Sequence, residues 1–112
     1  MAVTVGINGF GRMGRLGLRA GWSHPDFDFI RVNETATDAA GSAHLLKFDS
    51  VHGIWPGEAD ADQHGLRLDG RSLAYSSHAS IQECDWSDCD IVIEATGRHH
   101  KKPELLQEYF RQ

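Results

Sequence analysis

The spacing of apolar positions changes several times along the chain, and each change marks an element. Val3-Thr4-Val5-Gly6-Ile7 is a short β-branched run that predicts a buried strand. It ends at Asn8-Gly9, a turn dipeptide. Over 11–22 the repeat becomes helical, with Met13, Leu16, Gly17 and Ala20 at i, i+3, i+4 and i+7, and Gly21 suits the exit. Phe27, Phe29, Ile30 and Val32 predict a second strand that closes at Asn33-Glu34. Thr37 or Asp38 is placed to cap a second helix carrying Ala39, Ala40, Ala43, Leu46 and, at its limit, Phe48.

Beyond Phe48 the pattern shortens. Asp49-Ser50-Val51-His52-Gly53 reads as a loop. Gly65-Leu66-Arg67-Leu68 and Ser72-Leu73-Ala74-Tyr75 alternate and are joined at Asp69-Gly70, the signature of a hairpin. The segment 58–62 is a candidate antiparallel neighbour. Ile91-Val92-Ile93 is continuously apolar, as expected of a parallel strand covered on both faces. Pro103 is suited to open a last helix with Leu105, Leu106, Tyr109 and Phe110 on one side. The order strand, helix, strand, helix, hairpin, strand, helix predicts an α/β open sheet with an antiparallel hairpin insertion.

Length and charge narrow the function. The 112 residues suffice for one domain, and 11 Lys and Arg against 16 Asp and Glu leave a net charge of −5. A net acidic chain is a poor binder of nucleic acid or anionic membrane, so neither is expected as a partner. No apolar run approaches the roughly 18 residues of a spanning helix. Met1-Ala2-Val3-Thr4 has no basic segment, so no signal peptide is expected. Two cysteines, Cys84 and Cys89, do not make a disulfide framework, and reduced thiols in a cytoplasmic protein are the simplest reading.

Glycine stands out, with 12 in the chain. The informative group is Gly9-Phe10-Gly11-Arg12-Met13-Gly14, a G-x-G-x-x-G between a predicted strand and a predicted helix. In such a loop the first glycine makes a tight turn, the second lets backbone approach a pyrophosphate, and the third lets helix and sheet pack closely. Amides around Arg12 and Met13 then face the phosphates at the positive end of the helix dipole. Glu34 follows Gly14 by 20 residues, where a carboxylate can accept hydrogen bonds from the adenosine ribose. It would repel a 2′-phosphate, so NAD is favoured over NADP. The bland alternatives are a tight strand-to-helix turn without ligand and a solvated acid at a loop end. No Gly-Lys-Ser/Thr follows the glycines, so the competing ligands are other dinucleotides, NADP or FAD.

These residues resemble the opening of the glyceraldehyde-3-phosphate dehydrogenase family. Val5-Gly6-Ile7-Asn8-Gly9-Phe10-Gly11-Arg12-Met13-Gly14-Arg15, Val32-Asn33-Glu34, Phe48-Asp49-Ser50-Val51-His52-Gly53 and Glu94-Ala95-Thr96-Gly97 match its segments in order and spacing. Asn33-Glu34, Ala43-His44-Leu45-Leu46 and Tyr75-Ser76-Ser77-His78-Ala79 are most similar to the branch associated with arsenate resistance. The resemblance implies an NAD-dependent phosphorylating, or arsenylating, aldehyde dehydrogenase. In that chemistry a cysteine thiolate attacks the aldehyde, a histidine acts as acid and base, hydride passes to NAD, and phosphate or arsenate displaces the thioester. It implies that Asn8, Gly9, Phe10, Gly11, Arg12 and Met13 line the pyrophosphate and nicotinamide side, with Gly14 packing the helix behind them. Glu34 would hold the ribose, and Thr96 and Gly97 would border the cofactor. It also implies a Rossmann-type domain over 1–112, truncated before its last strands, with the catalytic domain absent and no turnover by this chain alone.

Two residues depart from the family pattern. Glu34 stands where the family uses Asp, one methylene shorter, which displaces the ribose contact. Ala79 stands where the family often has Arg beside the adenine, so the expectation is either lower adenine affinity or His78 as the stacking surface. The acidic stretch 83–90 around Cys84 and Cys89 opposes thiolate formation, so both read as small packing residues. His99-His100-Lys101-Lys102 lacks a zinc-like partner cluster and reads as a solvated loop. His44 and His52 have no nucleophile partner; His52 is a candidate subunit contact. Trp22, Trp55 and Trp86 read as packing residues. With later strands missing, one edge of the strand over 91–93 would be bare, predicting self-association through this edge or through apolar surface that the catalytic domain would cover. A non-catalytic nucleotide-binding module or a self-associating fragment is the alternative function. A dihydrodipicolinate reductase also resembles Gly11-Arg12-Met13-Gly14-Arg15, but the 48–53 segment argues against it.

Overall fold

The computed structural model describes residues 2–49, 53–63, 65–97 and 106–110. Strand β1 (Val3–Asn8) leads through the glycine loop into helix α1 (Arg12–Gly21), and β2 (Phe27–Asn33) leads into α2 (Ala39–Lys47). A short ribbon pairs β3 (Phe48–Asp49) antiparallel with β4 (Gly53–Ile54). Then come β5 (Ala59–Asp62), β6 (Gly65–Leu68), β7 (Arg71–Ser76), a 3-10 turn (Ile81–Glu83), β8 (Ile91–Glu94) and α3 (Gln107–Phe110). The main sheet has the order β5-β6-β7-β2-β1-β8. The pairs β7–β2, β2–β1 and β1–β8 are parallel, and β5–β6 and β6–β7 are antiparallel.

The expected antiparallel hairpin is present and joins the main sheet directly. Its second strand, β7, is also the third strand of the parallel ladder, with Arg31 opposite Ala74 and Asn33 opposite Ser76. Asp69 and Gly70 have φ of 50° and 79°, the paired positive values of a type I′ turn. The turn is anchored to α1, because Trp22 Nε1 donates to Asp69 Oδ2 at 2.8 Å and Arg71 lies 4.6 Å from the Trp22 ring. Arg71 also pairs with Asp28.

Both faces of the sheet are covered by different means. On one face Leu18 of α1 and Ala43 and Leu46 of α2 pack with Val5, Ile7, Phe29, Val32, Leu66 and Leu73 in the main core. Burying each large side chain contributes about 1.5–3 kcal/mol. On the other face Ile81, Cys84 and Trp86 form a smaller cluster with Cys89, Val92, Leu106 and Tyr109. Gly6 makes room for it, since a Cβ there would lie 2.7 Å from Cys89 Sγ and 2.9 Å from the Trp86 ring. The β1–β2 register shifts between Val5 and Gly6, as glycine in a strand often permits.

Two expectations are corrected. Strand β8 is covered on both faces only in part: Val92 packs on the smaller cluster and Ile93 on the main core, both half-buried, while Ile91 is 45% exposed, and the strand's described neighbour is β1 alone. Phe48 does not extend the helical stripe; it is the C-cap of α2 and exposed. Asp38, one of the two cap candidates, accepts from Gly41 N at 2.8 Å. Ser50, Val51, His52, His99, His100, Pro103 and Leu105 lie outside the described residues.

Candidate functional site

After β2 the chain passes to β7 on one side, and after the hairpin it returns to the other side of β1 to form β8. The carboxyl ends of β1 and β8 thus flank the point where the winding reverses, the usual ligand crevice of an open α/β sheet. A cleft of about 110 Å³ opens there. Asn8, Gly9 and Gly11 form one wall, Asn33, Glu34 and Thr35 a second, and Ala95 and Thr96 the third.

Each glycine of the loop answers to a different contact. Gly9 has φ of 96° and presses on β8's exit, where a Cβ would stand 2.6 Å from Ala95 C and Thr96 N. Gly14 lies under the loop, where a Cβ would fall 2.1 Å from the Gly9 carbonyl oxygen. Among the described residues, nothing lies within 4 Å of the open side of Gly11. It is the N-cap of α1, contributes no capping side chain, and no acid follows in the first turn. A free approach to uncapped helix amides is what a phosphate requires.

Glu34 crosses the mouth of this cleft. Its Oε1 accepts from Phe10 N at 2.7 Å, and its Oε2 accepts from Thr35 N at 2.8 Å and Ala36 N at 2.9 Å. The additional methylene therefore carries the carboxylate across to the glycine loop. A carboxylate offers about four acceptor positions, so room for a hydroxyl donor remains.

The floor is a continuous polar network. Asn33 Nδ2 donates to Asn8 Oδ1 at 2.9 Å and to the His78 carbonyl at 2.8 Å. Asn33 Oδ1 accepts from Ser76 Oγ at 2.7 Å and His78 N at 2.8 Å. Asn8 Nδ2 donates to Glu94 Oε1 at 3.2 Å and Tyr109 Oη at 2.7 Å. Tyr109 Oη donates to Glu94 Oε1 at 2.7 Å. Glu94 Oε2 accepts from Thr96 N at 3.1 Å and Thr96 Oγ1 at 2.8 Å. Both asparagines are buried, and their partners fix which end of each amide is oxygen.

The residues named from sequence divide by place. Asn8, Gly9, Gly11, Glu34 and Thr96 meet at the cleft. Phe10 offers its backbone N–H, while its ring is buried in the main core. Arg12 and Met13 are exposed on the first turn of α1, Gly14 packs beneath the loop, and Gly97 is exposed with φ of 75°. Asn33, Glu94 and Tyr109 are additional: Asn33 and Glu94 lie inside the matching segments with no sequence signal for their bonds, and the spacing of Tyr109 marks only a helix-packing position. Cys84 and Cys89 sit away from the cleft in the smaller cluster, and burial together with Asp88 pushes the Cys89 thiol up to about 12. Among the described residues, no group of three His, Cys, Asp or Glu is placed to hold a metal.

Residues 3–102 match the family model for the NAD-binding domain of glyceraldehyde 3-phosphate dehydrogenase. The chain belongs to this family. It is 45% identical over 113 aligned residues to glyceraldehyde-3-phosphate dehydrogenase 3 of Nostoc sp., covering 99% of this chain and 33% of the relative. The dehydrogenase of Geobacillus stearothermophilus is 42% identical over 109 residues, covering 96% and 32%. The cytosolic dehydrogenase of Chlamydomonas reinhardtii is 38% identical over 97 residues, covering 85% and 28%. The chain thus spans about a third of the length of these relatives. NAD is the cofactor of this domain, and the residues present fit its centre: open space at Gly11 for the pyrophosphate and an acid at Glu34 for a ribose. The cleft is smaller than the roughly 300 Å³ lower bound of small-molecule sites. Among the described residues, no helix is long and apolar enough to cross a membrane.

Proposed function

We propose that this chain is the NAD-binding part of a phosphorylating glyceraldehyde-3-phosphate dehydrogenase, with arsenate as an alternative acyl acceptor. The observation that carries the reading is the pairing of an uncapped, unobstructed α1 N-terminus at Gly11 with the Glu34 carboxylate across the same cleft. Backbone amides of the first turn would hold the pyrophosphate and Glu34 the adenosine ribose. Gly9 and Thr96 would shape the nicotinamide side.

When bound, NAD accepts the hydride. The thiolate that attacks the aldehyde and the histidine that moves the proton are assigned to the part of the relatives that 1–112 does not span. The environment of Cys89 supports this, because a thiol held near 12 is protonated at neutral pH and a poor nucleophile. The 112 residues on their own are expected to bind NAD without oxidising aldehyde. A cytoplasmic setting and assembly as a homo-oligomer complete the reading.

Calorimetric titration of NAD and NADP into the wild type and Glu34→Ala tests it. NAD is expected to bind more than about tenfold tighter than NADP, since a 2′-phosphate meets the Glu34 charge. Glu34→Ala is expected to shrink that gap. Equal wild-type affinities would remove the role given to Glu34, and no binding of either would remove the site.

A further inference from the structure

The floor of the cleft ends in a group that does not line it. We propose that Tyr109, on α3, is a positioning residue for dinucleotide binding: by holding Glu94 and Asn8 it sets the Ala95–Thr96 wall against Gly9. The inference rests on the reading of this cleft as the NAD site.

The ring of Tyr109 is located by apolar contact. It meets Trp86 edge-on, with centroids 5.9 Å apart and planes at 67°, within the smaller hydrophobic cluster. This brings a hydroxyl from a distant part of the chain to Asn8, 101 residues away in sequence. That hydroxyl accepts from Asn8 Nδ2 and donates to Glu94 Oε1, both at 2.7 Å. Burial raises the phenol pKa well above its ordinary value, so the donor stays protonated through neutral and mildly alkaline pH.

Each partner of Tyr109 carries a wall of the cleft. Glu94 grips the Thr96 amide and hydroxyl with its other oxygen. Asn8 precedes Gly9, and its carbonyl accepts from Ala95 N at 2.7 Å. The two walls meet where Gly9 lies against Ala95 and Thr96 too closely to admit even a Cβ. A loose Glu94 would let Thr96 drift by tenths of an ångström, enough to spoil a preorganised ligand geometry. The Glu34 end of the cleft hangs on separate bonds, to Phe10 N, Thr35 N and Ala36 N.

That separation supplies the test. Tyr109→Phe in the intact chain keeps the ring on Trp86 and removes only the hydroxyl. It is expected to weaken NAD about tenfold, the effect of one charge-assisted hydrogen bond, and to leave adenosine monophosphate within twofold. Glu94→Gln, which keeps the shape but cannot accept from all of Tyr109, Asn8 and Thr96, is expected to give the same NAD-selective loss. Both titrations are made well below the unfolding midpoint of each variant. A purely structural role would lower that midpoint and leave both affinities unchanged. Unchanged NAD affinity in the two variants, or equal losses for NAD and adenosine monophosphate, would overturn the assignment while the cleft remains an NAD site. A wild type that binds no NAD would overturn both.

Discussion

Two helices leave this sheet after parallel strands, and they begin in opposite ways. Helix α2 starts from Asp38, whose carboxylate accepts from Gly41 N, and the space beside Gly41 is filled by Thr37. Helix α1 starts from Gly11, with no side-chain cap hydrogen bond and, among the described residues, nothing within 4 Å of where a Cβ would be. A capping side chain is worth about 1 kcal/mol. The helix that forgoes it stands at the mouth of the cleft; the helix that keeps it packs on β5 and β6. On the proposed reading, the missing cap leaves those amides to the phosphates of the cofactor.

Three substitutions break or sharpen this contrast. The largest effect is expected from Gly14→Ala, whose methyl would strike the Gly9 carbonyl. Chemical denaturation should show a loss of about 3 kcal/mol, beyond what the better helix propensity of alanine returns. Next comes Gly11→Asp, which rebuilds α1 in the manner of α2. The fold should gain about 0.5 kcal/mol from the new cap and its charge at the helix N-terminus. NAD binding by calorimetry should nevertheless fall more than about tenfold, because the carboxylate takes the phosphate's place. A variant that gains stability and keeps its affinity would dissociate the open N-terminus from the ligand. The smallest effect is Asp38→Ala, expected to cost about 1 kcal/mol in denaturation with no change in NAD affinity.

The sequence made legible what depends on neighbours in the chain. Asp69-Gly70 announced its hairpin because few residues accept positive φ at both turn positions. The glycine loop and Glu34 could be paired because their separation reflects one strand-helix-strand unit. What escaped depends on contacts between distant segments. Glu94 bonds Asn8 across 86 residues, and Tyr109 across 101. No period or motif in the sequence encodes such a meeting. The side-chain length of Glu34 was visible, but not that its reach ends at the Phe10 amide. Ile91-Val92-Ile93 reads as fully buried because apolarity records suitability for burial, not its extent; Val92 and Ile93 are half-buried and Ile91 is exposed.

The hold on Asn8 has a consequence for the ageing of the chain. Asparagine before glycine is the dipeptide most prone to deamidation, because an unhindered glycine nitrogen can attack the side-chain carbonyl and close a succinimide with loss of the side-chain nitrogen as ammonia. Here Gly9 N is engaged with the Asn33 carbonyl at 2.8 Å, and the Asn8 carboxamide is tethered at both its oxygen and its nitrogen. The ring closure requires this stretch to come apart first. Conversion of Asn8 to aspartate or isoaspartate would therefore accumulate as a chemical record of how often the cleft floor opens.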